Sequence, residues 1–325
     1  MENITQKIIN DLSKSQHKNF RVGDLLIQSL EDCLGSDIFH FRVSDFDQSL
    51  NVTGSGSDFH AEIALKKALS EFCERYSHSK LGIEGSSSGY AAHENITLSK
   101  ESALAEIVER DVFLSCWLSK LPPLWLSDQV LEEICPIFSE QKNIFRKSNL
   151  NIRIGVLGIC MDVIVIFGEL TPDADSKEKF GRIIVSSGSK SFEYAIRKAI
   201  IDLRRSANFV FNQSVQVSNS VDLKSPFYHI SHYANPNFSE NLSWLDVSDL
   251  SELIRIIDPI LDIEYIEHIN SYKDIYPAII IQARSKECQN YFVGPTTIDK
   301  VNMNRVRQFG ITSFSQLNLN LHPLG

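Results

Sequence analysis

Apolar residues in this chain fall into a few helical runs and several short strand-like runs. Ala64, Leu65, Ala68, Leu69, Phe72 and Tyr76 recur at helical spacing and predict one helix over about 60–77, with Lys67, Ser70, Glu71, Glu74 and Arg75 on the opposite side. A second helix is predicted over about 99–118. Pro122-Pro123 stops it, because proline lacks an N–H and clashes with the preceding turn. Further helices are predicted over 192–211, near 247–256 and, with interruptions, over 4–30. Strand patterns occur at 38–43, 152–156, 163–170, 183–185, 278–282 and 291–293, the second and third reading as an antiparallel pair. Small-residue stretches at 54–57, 86–89 and 186–189 read as loops that open the first three helices, and 213–233 reads as irregular.

No low-complexity linker divides the chain. The pattern therefore predicts one large α/β (mixed α+β) domain over 1–325, built from repeated strand–loop–helix units with mixed or antiparallel sheets. Within it, 1–50 would hold the N-terminal helix and strands, 51–125 the paired helices, and 150–325 the third repeat and a C-terminal sheet region. The formal charge of −9 argues against a general nucleic-acid or anionic-membrane binder. The longest aliphatic run, around 163–167, has the length of a buried strand and falls far short of a bilayer span. The N-terminus carries acids early and no long apolar run, so no signal peptide is expected. The six cysteines are scattered without a CxxC pair, which predicts reduced thiols packed in the core of a cytoplasmic protein.

The helices repeat one another. Residues 64–71 read ALKKALSE and residues 195–202 read AIRKAIID. The first helix ends Glu71-Phe-Cys-Glu74-Arg75 and the second ends Glu106-Ile-Val-Glu109-Arg110, while the third ends Asp202-Leu-Arg-Arg205. Gly54 to Glu71 and Gly89 to Glu106 both span 17 positions (71 − 54 and 106 − 89), which marks an internal structural repeat with a less faithful third copy. Glutamates three apart project from neighbouring turns of one helix face. Two such helices brought together would offer four carboxylates to a divalent cation, with Arg75 and Arg110 tying down a carboxylate or meeting a phosphate. Taken one helix at a time, ExxER is also the pattern of a solvated charged face with internal ion pairs.

The stretch Ser87-Ser-Gly-Tyr-Ala-Ala-His93, followed by Glu106-Ile-Val-Glu-Arg-Asp111 thirteen residues after the histidine (106 − 93), resembles the signature of YcaO-domain proteins. Gly54-Ser-Gly56 with Glu71-Phe-Cys-Glu-Arg-Tyr76 looks like that family's first ExxER element. The resemblance is strong over 50–125, weaker over 180–210, and faint but collinear beyond. It implies an enzyme that uses ATP and Mg²⁺ to phosphorylate a peptide backbone amide oxygen, which then leaves as phosphate. The leading reading is cyclodehydration of Cys, Ser or Thr to azolines in a ribosomally made peptide. The family's other outcomes are thioamide formation with sulfide and amidine formation with an amine.

The resemblance assigns Glu71, Glu74, Glu106 and Glu109 to the metal. It assigns Arg75, Arg110, Lys67, Ser87, Ser88, Asp202 and Arg205 to the nucleotide, and His93 and the C-terminal Gly325 to the reacting end. It also implies a precursor peptide, a leader-binding E1-like partner, a flavin dehydrogenase as a later step where azoles form, and a homo- or hetero-oligomer.

The chain departs from the family pattern at several positions. Leu98 stands eight residues before Glu106 where the family usually has a glutamate (106 − 98), Arg205 stands where an amide is expected, Asp202 is a shorter ligand than glutamate, and Ser88 replaces an asparagine. The tail Leu321-His-Pro-Leu-Gly325 has one proline where azoline-forming members often have several. These changes keep open a second class of function, a non-catalytic scaffold inside a peptide-modification complex. The pair His229 and His232 has a metal-compatible spacing without supporting context, and Cys73 and Cys116 are read as core packing.

Overall fold

A computed structural model describes residues 19–35, 37–46, 52–82, 87–173, 181–212, 226–235, 240–247 and 254–324. It is a mixed α/β fold with antiparallel sheets, as the patterning predicts. The chain divides into two compact units, Met1–Leu104 with Glu264–Arg284, and Ala105–Ile263 with Ser285–Gly325.

The first unit holds a four-stranded antiparallel sheet in the order β1 (Asn19–Val22), β2 (Leu25–Leu30), β3 (Phe39–Asp45) and β4 (Thr53–Asp58). Residues 19–30 therefore form a hairpin and not the predicted helix. Leu25 and Ile27 are buried while Leu26 and Gln28 between them are half-buried, the two-residue period of a strand, and Gly23 turns the chain with φ +56°. Helix α1 (Ala61–Lys80) packs on this sheet through the predicted stripe, with Ala64, Leu65, Ala68, Leu69 and Phe72 all buried.

The stretch 54–57 is likewise a strand where a loop was expected. A Cβ on Gly54 would lie 2.2 Å from Phe72 N, and one on Gly56 would lie 2.1 Å from Ala64 O. The glycines are there so that helix and strand backbones can touch, not to supply a flexible turn. A second sheet of the unit runs β10 (Glu264–His268), β11 (Ile279–Arg284), β5 (Tyr90–His93), also antiparallel. Helix α2 (Ile96–Leu118) has its first turns in this unit and the remainder in the second.

The second unit is organised on the sheet β6 (Leu124–Trp125), β7 (Leu150–Cys160), β8 (Val163–Pro172), β9 (Ile183–Ser189). The predicted pair, β7 with β8, is antiparallel and carries a bulge between Val156 and Gly158. Helices α3 (Asp128–Ile134), α4 (Phe138–Lys147), α5 (Phe192–Asn212) and α6 (Pro226–Ala234) belong to this unit, and α5 packs on β8 and β9. Residues 186–189, expected as a loop, extend β9 instead.

Three further expectations fail on described residues. Residues 226–233, expected as irregular, belong to helix α6. Tyr291–Val293 is not a strand, and 254–256 is not helical, Ile256 making a lone parallel bridge to Ile159. The rest of the helix expected near 247–256 lies at 248–253, outside the described residues. The chain ends on the second unit beyond the short helix α7 (Met303–Arg307). Asn318 N donates to Leu118 O (2.7 Å), its Nδ2 donates to Trp117 O (3.1 Å), and His322, Pro323 and Leu324 are buried.

Candidate active site

In the first unit α1 presents its acids to the strands beside it. Glu71 Oε2 accepts from the backbone N–H of Ser55 and from Ser55 Oγ (2.9 Å), and its Oε1 pairs with Arg75 Nη2 (2.8 Å). Arg75 Nη1 also donates to Thr53 O (2.9 Å). Glu74 Oε1 accepts from Ala92 N (2.8 Å), so the two glutamates hold β4 and β5. Lys67 Nζ donates to Asp58 Oδ2 (2.8 Å) and Ser57 O (3.3 Å). Ser87 and Ser88 are half-buried at the turn before β5, where Tyr90 N donates to Ser87 O (3.2 Å). His93, on β5, has Nε2 at 3.2 Å from Ser102 Oγ. Burial lowers its pKa, against the opposing charge of Glu94.

The second unit gathers charge more densely. Glu109 on α2 is buried, and both of its oxygens are engaged. Oε1 accepts from Ser186 Oγ (2.7 Å), and Oε2 accepts from Gly188 N (2.7 Å) and Lys198 Nζ (2.8 Å). Burial alone would raise its pKa. The charges of Lys198 and Arg110 and the bonds from Lys198 and Ser186 outweigh burial and hold it at about 2. Lys198, on α5, keeps its proton for the reciprocal reason. Desolvation pushes its pKa down, and the charges of Glu109 and Asp202 push it up by more.

Arg110 is surrounded by Glu109, Glu106, Tyr291 and Asp202, which together overcome its desolvation and raise its pKa. Its Nε is buried with no hydrogen-bond partner, and the guanidinium lies 5.3 Å from the centre of the Tyr291 ring. A buried guanidinium N–H without an acceptor is costly, and an anion's oxygen would satisfy it. Asp202 pairs with Arg205 Nη2 at 3.2 Å, so the unexpected arginine of the third copy neutralises its own helix's acid.

Glu71, Glu74, Arg75, Lys67, Ser87, Ser88 and His93 thus belong to the first unit, and Glu106, Glu109, Arg110, Asp202 and Arg205 to the second. Gly325 lies outside the described residues. Leu98 is 49% exposed at the start of α2, where an apolar side chain offers a cation no oxygen. His229 is no metal ligand, because its Nδ1 hydrogen-bonds His322 O (2.7 Å) and its Nε2 accepts from Gly294 N (2.9 Å). Cys73 and Cys116 are buried thiols whose pKa is pushed up to about 12 by desolvation, as core packing requires.

Sequence reasoning missed Lys198, Ser186 and Tyr291. The first two were signalled by the repeat. Aligning Ala64 with Ala195 sets Lys67 opposite Lys198 and Ser55 opposite Ser186, and in each copy the serine binds a glutamate of an ExxER run. Among the described residues no group of three or more His, Cys, Asp or Glu side chains could hold a metal ion by itself. Mg²⁺ does not need such a cage, since it usually takes one or two carboxylates plus substrate phosphate oxygens and waters. Glu106 and Asp202 both bring their charge to bear on Arg110, and Asp202 also on Lys198.

A family model described as YcaO cyclodehydratase, ATP- and Mg²⁺-binding, matches residues 75–258, more than half of the chain. The chain belongs to the YcaO family. No curated protein matches the sequence. Among solved structures, this YcaO chain is similar to a heterocyclase in complex with substrate and cofactor, at 12% identity and a TM-score of 0.70, over 99% of this chain and 57% of that one. It is similar to YcaO from Methanopyrus kandleri bound with AMPPCP and Mg²⁺, at 10% identity and a TM-score of 0.59, over 90% and 95% of the two chains. It is also similar to the E. coli microcin synthetase McbBCD complex with pro-MccB17 bound, at 12% identity and a TM-score of 0.58, over 83% and 91%. At such identities the likeness establishes the fold, and the chain spans just over half the length of the heterocyclase. No helix among the described residues is long and apolar enough to cross a membrane.

Proposed function

We propose that this YcaO protein is an ATP-dependent enzyme that activates peptide backbone amides by phosphorylating the amide oxygen, and that it cyclodehydrates Cys, Ser or Thr residues of a ribosomally made precursor to azolines. The observation that carries the reading is the buried cluster on the second ExxER run. There Glu109 is locked as a carboxylate by Lys198, while Arg110 keeps an unsatisfied buried Nε–H. The family's ATP- and Mg²⁺-binding description and the AMPPCP and Mg²⁺ in the Methanopyrus kandleri structure support it.

In this reading Arg110 and Lys198 receive phosphate oxygens, and Glu106 and Asp202 offer carboxylate oxygens to the cation. Glu109 serves chiefly to orient Lys198 and fix β9. When bound, Mg²⁺ offsets charge on the phosphates. In the first unit Glu71 and Glu74 would offer carboxylate oxygens to a cation, Arg75 would hold Glu71 in its rotamer, and Lys67, Ser87 and Ser88 would contact the nucleotide. His93 and Gly325 would stand at the reacting end, where the incoming side chain must lose a proton. The amide oxygen is a poor leaving group, and phosphorylation makes it a good one.

The partners that fit this reading are a precursor peptide, an E1-like leader-binding protein that presents it, and a flavin dehydrogenase where azoles are the final product. Oligomerisation and a cytoplasmic location complete the reading, the latter resting on the scattered cysteines, of which Cys73, Cys116, Cys135, Cys160 and Cys288 are buried. A scaffold without catalysis is the second reading, favoured by the exposed Leu98 and by the Asp202–Arg205 pair.

Phosphate release in the presence of Mg-ATP, precursor and presenting partner decides between the two. An enzyme releases phosphate in step with a product lighter by one water per ring, and Arg110→Ala abolishes both. Sulfur in place of oxygen would redirect the reading to thioamide formation. No release in the complete mixture would leave the scaffold.

A further inference from the structure

The arginine proposed to meet phosphate does not stand unsupported, and its support comes from a segment that sequence patterning read as a plain strand. Asp111, next to Arg110 on α2, is fully buried and faces the other way. Its Oδ2 accepts from Arg305 Nη2 (2.7 Å) and Nε (2.9 Å), and its Oδ1 accepts from Gln289 N (2.7 Å). Gln289 passes the anchorage on. Its Nε2 donates to Asn290 O (2.9 Å) and Lys300 O (2.9 Å), while its Oε1 accepts from Asn302 N (2.8 Å).

The loop 289–302 is thereby tied to α2 one residue away from Arg110, and Tyr291 is the side chain it delivers. The Tyr291 ring lies 5.3 Å from the Arg110 guanidinium, within cation–π range. The same ring lies 5.3 Å from His322, and its hydroxyl donates to Leu324 O at 3.2 Å. Nε of that guanidinium is buried and unbonded, and the Tyr291 ring is a neighbour that takes up no N–H as a conventional acceptor would.

We propose that Tyr291 is a positioning residue for nucleotide binding: its ring, held by the Asp111–Arg305 clamp, aims the Arg110 guanidinium at the phosphate oxygens. The inference rests on the reading of Arg110 as a phosphate ligand. It predicts that the ring matters and the hydroxyl does not. Tyr291→Phe keeps the ring and loses the hydroxyl with its bond to Leu324 O, whereas Tyr291→Leu keeps apolar bulk and loses the π face.

The test titrates Mg-AMPPCP into the full-length wild type, Tyr291→Phe and Tyr291→Leu, and follows the Arg110 Nε–H resonance in each, assigned through Arg110→Lys. Expected are a ring-shifted Nε–H and similar affinity in wild type and Phe. Leu should show loss of that shift with an affinity at least fivefold weaker, at a melting temperature close to that of Phe. Loss of the shift with unchanged affinity would overturn the positioning role while sparing the phosphate site. An unshifted Nε–H in the wild type would overturn the stacking itself. Failure of the wild type to bind the nucleotide at all, with the shift present, would overturn the reading of Arg110 and the positioning role with it.

Discussion

Glu109 shows how much a single side chain can carry in this fold. It receives a serine hydroxyl, a strand N–H and a lysine ammonium, and it stays ionised to a pH of about 2. A carboxylate whose folded pKa lies below its unfolded value contributes stability that is fully present above about pH 4.5 and is lost as the pH falls towards 2. Glu109→Gln keeps the shape but removes the charge facing Lys198 and turns an NH2 towards donors that need an acceptor, at a cost of about 1–3 kcal/mol by the usual penalty for a stranded polar partner. Urea melts at pH 7 should show that loss, and it should shrink as the pH is lowered through the acid range. An unchanged midpoint at pH 7 would mean that the Lys198 bond contributes nothing. Arg110 and Glu109 were legible because ExxER repeats in the chain. Lys198 was hidden because a lysine on an amphipathic helix looks like solvated charge until its partner, from another helix, is known.

At the scale of elements, α1 and β4 form a closely packed pair, their backbones touching at Gly54 and Gly56. The stripe Ala64, Leu65, Ala68, Leu69 and Phe72 was readable as helix because burial follows the helical period. The strand beneath it was not readable, because Gly-Ser-Gly-Ser is the composition of a loop. Only the closeness of α1, which leaves Gly56 no room for a Cβ, turns those residues into a strand requirement. The N-terminal hairpin failed in the opposite sense, since Val22, Leu25, Leu26 and Leu30 satisfy a helical spacing while Leu25 and Ile27 satisfy a strand one, and tertiary pairing with β3 decides. Gly56→Ala should therefore cost at least the 1–3 kcal/mol typical of overpacking, the obstacle being backbone that cannot rotate away. It should also disturb the neighbouring bond from Ser55 to Glu71. A thermal melt measures the first effect, and the amide exchange rate of Ser55 measures the second. Wild-type values for both would show that β4 and α1 part without loss.

For the molecule as a whole, the histidines set an acid limit well before the carboxylates do. His78, His93, His232, His268 and His322 all have pKa values lowered chiefly by burial, His322 to about 3. In the unfolded chain each would take up a proton near pH 6.5. The unfolded state therefore binds more protons than the native one below that pH, so stability must fall as the pH drops from about 6.5 towards the folded values. The Glu109 contribution falls only below about pH 4.5, so the two windows are separable in one titration of the unfolding midpoint. His322 is the steepest contributor, because its ring sits among His229, Phe292 and Tyr291 with Nδ1 buried and unbonded, and Arg110 and Lys300 add repulsion to any proton it accepts. His322→Asn should flatten the slope between pH 6.5 and 5 by close to one bound proton, whatever its effect on the midpoint at pH 8. If wild type and variant show parallel slopes over that range, His322 is protonated in the native state and the seated tail carries a charge that the burial argument forbids.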